Sequence, residues 1–221
     1  MKVSDKSYYN QKVRITASAI GVFLGLAGIL NHGIFEILQG NTPTYGFYIE
    51  AIGENHRYWL YGTEGAFTVV HNFLITGICT VIIGLTIIIW SLKYIHTRYG
   101  TKVFLSLLII QTLVGGGLGH LILFIPTWAF ATRINKPLKG WERVLSLPVR
   151  KKLNALWVYL LATTLISWLF VMELGIFGYV PGLQDPEAII NTVFVFLFAT
   201  VILACISFVG AIAGDLQGRT Q

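Results

Sequence analysis

Long apolar runs separated by short polar or basic stretches set the pattern of this chain. Four of them, at about 16–38, 65–92, 154–177 and 188–213, meet the requirement of about 20 apolar residues for a helix that crosses a hydrocarbon core. None alternates polar and apolar positions as a membrane strand does, so the pattern predicts an all-α integral membrane fold in one domain spanning 1–221. A fifth apolar region, about 103–131, is broken in its middle by "QTLVGGGLGH". Gly115, Gly116, Gly117 and Gly119 each disfavour a helix interior by about 1 kcal/mol relative to Ala, and they supply the positive φ that a tight turn needs. Each flanking arm is too short to cross a core of about 30 Å at a rise of about 1.5 Å per residue. The region therefore reads as a re-entrant helical hairpin with its turn at Gly115–Gly119 and His120 just beyond it.

Charge separates this arrangement from its alternative of five transmembrane helices. A full fifth crossing puts seven Lys and Arg residues on one side and nine on the other. A hairpin that leaves on the side it entered puts every one of the 16 basic residues except Arg57 on a single side. The positive-inside tendency favours the hairpin, with both termini cytoplasmic in a multi-pass protein of the plasma (inner) membrane. The basic N-terminal stretch precedes an apolar run too long for a signal peptide, so that run is expected to remain as the first helix.

Composition agrees with a lipid environment. Charged residues make up 12% of the chain and hydrophobic residues 55%, too little polar surface for a water-soluble domain. The net charge of +6 flanks apolar runs instead of forming a basic stripe on a polar domain, which excludes nucleic acid as a partner and leaves the lipid bilayer. Cys79 and Cys205 lie far apart in apolar runs and read as small packing residues. Ala17, Gly21, Gly25 and Gly28 form a ridge of small residues, the pattern of a close helix–helix seam. The aromatic loop "TPTYGFYIEAIGENHRYWLYGTE" is expected to lie along the outer surface as an interfacial cap.

Ionisable residues within apolar runs are costly, so their positions are informative. His32, Glu36 and Gln39 fall on one face of the first helix at i, i+4 and i+7. Glu64, His71 and Asn72 would share a face of the second helix at i, i+7 and i+8, and Glu173 lies near the outer end of the third. With the spans antiparallel, the three carboxylates fall at similar depth and the histidines about one to two turns deeper. Imidazole with carboxylate suits zinc, iron or manganese, and His32, Glu36, Glu64 and His71 are the candidate metal ligands; histidines on facing helices also suit haem. No HExxH or CxxCH motif fixes either reading.

"NHGIFEILQGNTP", "HNFLITGICTVIIGLTIIIWS" and "LVGGGLGH" resemble segments of a family of bacterial multi-pass membrane proteins without an assigned activity. The resemblance covers most of residues 30–135. Its members carry a similar glycine triplet, often followed by prolines, which implies that His120 is not a family requirement.

The expected function is binding or permeation (transport) of an ion, proton or small solute, with His32, Glu36, Gln39, Glu64, His71, Asn72 and Glu173 lining the polar region. Self-association into a homo-oligomer is expected, because four helices and a hairpin make a thin wall for a pathway. A metal- or haem-dependent membrane enzyme and a structural or assembly protein are the alternatives.

Overall fold

A computed structural model describes residues 9–219. Lys2 and Lys6, which enter the charge count, lie outside the described residues. Four helices among the described residues are long and apolar enough to cross a membrane: α1 (Gln11–Leu38), α2 (Phe73–Lys93), α6 (Leu147–Phe177) and α7 (Pro186–Gln217). Between α2 and α6 come two shorter apolar helices, α3 (Gly100–Leu113) and α4 (His120–Ala131), and the short polar α5 (Lys139–Val144).

The ridge of small residues on α1 packs against α2. A Cβ on Gly25 would lie 2.7 Å from the Gly84 carbonyl oxygen, and one on Gly77 would lie 2.6 Å from that of Gly33. Two backbones approach this closely only where side chains are missing. Ser18 ties the inner end of the seam by donating to the Ser91 carbonyl at 2.7 Å. α6 and α7 form a second antiparallel pair. Buried Thr164 and Ser207 meet at 2.9 Å, and Ser167 and Thr200 at 2.5 Å. Gly178 closes α6 in the left-handed conformation at φ +61°, and Asp185 caps α7 by accepting from the Glu187 and Ala188 amides.

α3 and α4 form a helical hairpin. Asn135, just after α4, donates to the His96 carbonyl at 2.7 Å just before α3, so the two open ends of the hairpin, away from its tip, meet. The N-terminal segment joins the same end, because Asn10 donates to the Arg133 and Lys136 carbonyls. So does the end of α7, where the Asp215 carboxylate accepts from the backbone amides of Lys12 and Val13, both at 3.0 Å. At the opposite end Trp59 donates from Nε1 to the Gly175 carbonyl at 2.9 Å. The turn between α3 and α4 uses its glycines as expected: Gly115 has φ +109° and Gly117 φ +85°.

Two expectations are corrected. The second long helix begins at Phe73, not near 65, because Asn72 caps it by accepting from the Ile75 amide. Glu64, His71 and Asn72 therefore do not share a helical face. The preceding "GAFTVV" is rich in β-branched and aromatic residues and is extended instead. It supplies β2 (Gly65–Phe67), paired antiparallel with β1 (Tyr48–Glu50).

The aromatic loop is thus more than a surface cap. Its β2 edge turns inward onto the tip of the α3–α4 hairpin, where the Gly115 amide donates to Phe67 at 2.8 Å and the Leu118 amide to Gly65 at 3.0 Å. Pairing satisfies backbone groups that would otherwise be stranded inside the bundle.

Candidate functional site

The tip of the hairpin and the β2 edge meet α1 where that helix changes its winding. Gly28–Gly33 is a π-helical segment, which carries one extra residue per turn and re-aims the side chains that follow. It turns Asn31 and His32 inward, and Glu36 follows one turn on. His32 and Glu36 are both 0% exposed.

His32 Nε2 lies 2.9 Å from Glu64 Oε2. The other Glu64 oxygen accepts from the Gly119 amide at 2.6 Å and lies 3.9 Å from His120 Nδ1. The two imidazoles stand edge to face with ring centres 5.2 Å apart, and the His120 ring rests against buried Trp168 at 5.7 Å. One ligand atom from each of His32, Glu64 and His120 falls within 4.8 Å of the other two. Gly117 makes this approach possible, since a Cβ there would strike the His32 ring and lie 2.8 Å from His120 Nδ1.

Glu36 lies on the other side of the hairpin tip. Its Oε2 accepts from Thr80 at 3.2 Å, and a Cβ on Gly115 would run into its carboxylate. Several buried polar atoms around this tip have no hydrogen-bond partner among the described residues: His32 Nδ1, Glu36 Oε1, both ring nitrogens of His120 and both amide atoms of Gln111. Native interiors rarely leave polar atoms unpaired, so such a concentration at one spot points to a bound polar species.

Glu64 sits in the loop before β2 with its side chain 28% exposed. Burial works to raise its carboxyl, but facing His32, more distant His120 and the Gly119 amide outweigh burial and hold it down at about 2. The carboxylate is thus ionised across the physiological range, as a metal ligand must be.

Of the polar residues singled out in the sequence, the structure brings His32, Glu36, Glu64 and His120 together. Gly115, Gly116, Gly117 and Gly119 form the tip between them. Gln39 instead secures the loop, donating to the Glu50 and Ala51 carbonyls. Asn72 caps α2 and donates to Asn41 at 2.7 Å. His71 is exposed and lies outside the cluster of candidate ligand atoms, where His120 takes the place expected of it. Glu173 is also exposed, on the side of α6 that faces an apolar groove against α1. Thr80 and Gln111 were not anticipated, although both are polar residues within apolar runs, the signal that drew attention to the histidines.

The arrangement is suited to holding a cation. Ligand atoms around a four-coordinate zinc lie about 3–3.5 Å apart, given bonds of about 2.0–2.2 Å. The approaches of His32 and His120, 2.9 and 3.9 Å, fall on different Glu64 oxygens, and the three candidate ligand atoms lie within 4.8 Å of one another, so the side chains would draw together on a bound ion. A haem fits poorly, because the Gly117 backbone and the Glu64 carboxylate fill the space a porphyrin would need between the imidazoles. Comparison with known families, with curated proteins and with solved structures finds no match, so the geometry of the site carries the functional reading.

Proposed function

We propose that this is a small multi-pass protein of the inner membrane that binds a divalent transition-metal ion through His32, Glu64 and His120. Both termini are cytoplasmic, α3 and α4 re-enter from the cytoplasmic side, and the aromatic loop descends from the outer side. The metal lies where the two meet. The observation that carries this reading is the convergence of two imidazoles and a carboxylate on one buried point, with both nitrogens of His120 otherwise unpaired.

Three protein ligands leave at least one coordination position free, the pattern of catalytic and exchangeable sites and not of closed structural ones. Glu36, one turn along α1 from His32, holds a further buried carboxylate oxygen without a hydrogen-bond partner among the described residues. Binding is favoured over open permeation, because backbone hydrogen bonds from Gly115 and Leu118 to β2 close the space between the hairpin tip and the loop.

Elemental analysis of the detergent-purified chain tests the reading. About one zinc, manganese or iron per chain is expected, falling to background in His32→Ala and His120→Ala proteins that retain their helical circular dichroism. Wild-type protein that neither carries a metal nor takes one up when dialysed against each of the three overturns it.

A further inference from the structure

Glu64, one of the three candidate ligands, lines a cavity of about 380 Å³, with His32 Nε2 2.9 Å from its carboxylate. The hairpin tip forms its inner wall through Leu118 and Gly119, and the outer ends of α6 and α7 form its sides. The lining is mostly apolar, with Asn31, Tyr61, Thr63 and Glu64 its polar side chains and Glu64 its one carboxylate among the described residues. Partly exposed Ile176 and Ile190 and exposed Phe194 mark the open side, on helices that otherwise face lipid. The volume is at the small end of the range of about 300–1,000 Å³ for small-molecule sites, room for one hydrocarbon chain and not for a two-chain lipid.

Resting on the metal reading, we propose that this cavity takes a single-chain anionic amphiphile, such as a long-chain carboxylate, from the bilayer and that its head group binds the metal held by His32, Glu64 and His120. Charge argues for an anionic head. A divalent ion with two neutral imidazoles and one carboxylate leaves one positive charge and a free coordination position at the polar end of an apolar cavity. With the ion in place, that end of the cavity attracts a carboxylate head. The metal therefore makes binding of the amphiphile conditional on its own presence.

Gly175 provides a way to fill the cavity without disturbing the helix. It lines the cavity on α6, and a Cβ added there meets nothing within 4 Å. Leucine at this position occupies the space of two or three methylenes of a bound chain, enough to weaken binding by on the order of tenfold.

The test uses full-length protein in detergent, diazirine-bearing palmitate as the photoprobe, and zinc added or withheld. Zinc content is measured on the same samples. In the zinc-loaded protein, label is expected on residues 171–176 and 190–197, with a loss on the order of tenfold when zinc is withheld and a similar loss in Gly175→Leu. Gly175→Leu should keep the zinc content and melting temperature of the parent, and Gly175→Ala should label as the parent does. Zinc bound but labelling indifferent to zinc, or unchanged in Gly175→Leu, overturns the amphiphile site and leaves the metal site standing. Absence of uptake of zinc, manganese and iron alike overturns the metal site and this inference with it.

Discussion

His32 on the first helix and Glu64 in the following loop meet at 2.9 Å, the imidazole buried and the carboxylate fixed from its other side by the Gly119 amide. Three separate parts of the chain thus share one carboxylate: the π segment of α1, the strand edge and the tip of the α3–α4 hairpin. The consequences of this junction are open to measurement.

Removing the carboxylate exposes how much rests on it. Glu64→Ala leaves His32 and the Gly119 amide without their partner, and Glu64 is partly exposed, so the expected loss is about 1–3 kcal/mol and not the larger figure for a fully buried pair. Unfolding in detergent with urea or heat measures it. Glu64→Gln, which keeps an acceptor for Gly119, should recover part of the stability but not the metal content. A Glu64→Ala protein as stable as the parent would show that the junction is incidental.

Gly117→Ala is expected to be costly for two reasons that act together. Its φ of +85° strains any residue with a Cβ, by roughly 1–2 kcal/mol, and the new methyl presses on both imidazoles. Gly140→Ala serves as control, because a Cβ at that position meets open space. Metal affinity and melting temperature should both fall for Gly117→Ala and stay put for Gly140→Ala.

Acidification should release the metal through the histidines. The Glu64 carboxyl is held down at about 2, so it stays ionised while protons compete with the metal for the imidazoles. Protons and metal exclude each other on imidazole, so affinity rises with pH and falls as pH drops. Zinc titrations at about pH 5.5 and 7.5 should differ by more than tenfold, up to two protons being displaced per metal. Equal affinities at the two values would remove both histidines from the ligand set.

The orientation of the hairpin can be read by labelling. Gly140 is exposed, in the basic segment between α4 and α6. A Gly140→Cys protein should resist a membrane-impermeant maleimide in intact cells and react once the membrane is opened. Cys79 and Cys205, both partly buried in long apolar helices, set the background. Efficient labelling from outside would require α3 and α4 to cross the membrane.

Hydropathy alone makes the four long helices legible, because the requirement for unbroken apolar length is local. The break at the glycine run is legible for the same reason, and the structure places a helix on either side of it. Ionisable residues within apolar runs pointed to His32, Glu36 and Glu64 without any motif. The descent of the loop was hidden, since "GAFTVV" is as apolar as a helix start and its extended form depends on pairing with a partner distant in sequence. The π segment was equally hidden, because a change of winding leaves no mark on hydropathy. No motif marks His120, whose place in this chain is set by Gly117, where the missing side chain leaves room for both rings.

The contacts from Gly115 and Leu118 to β2 carry a consequence for biogenesis. His120 belongs to the hairpin and Glu64 to the loop, while only His32 belongs to a membrane-length helix, so neither the hairpin nor the loop alone completes the set. On the proposed reading, a chain with its helices threaded but its loop undocked would present His32 without its two partners and would capture no metal. Metal capture would then report that both insertions are complete, and a nascent chain stalled before residue 120 would be unable to give that signal.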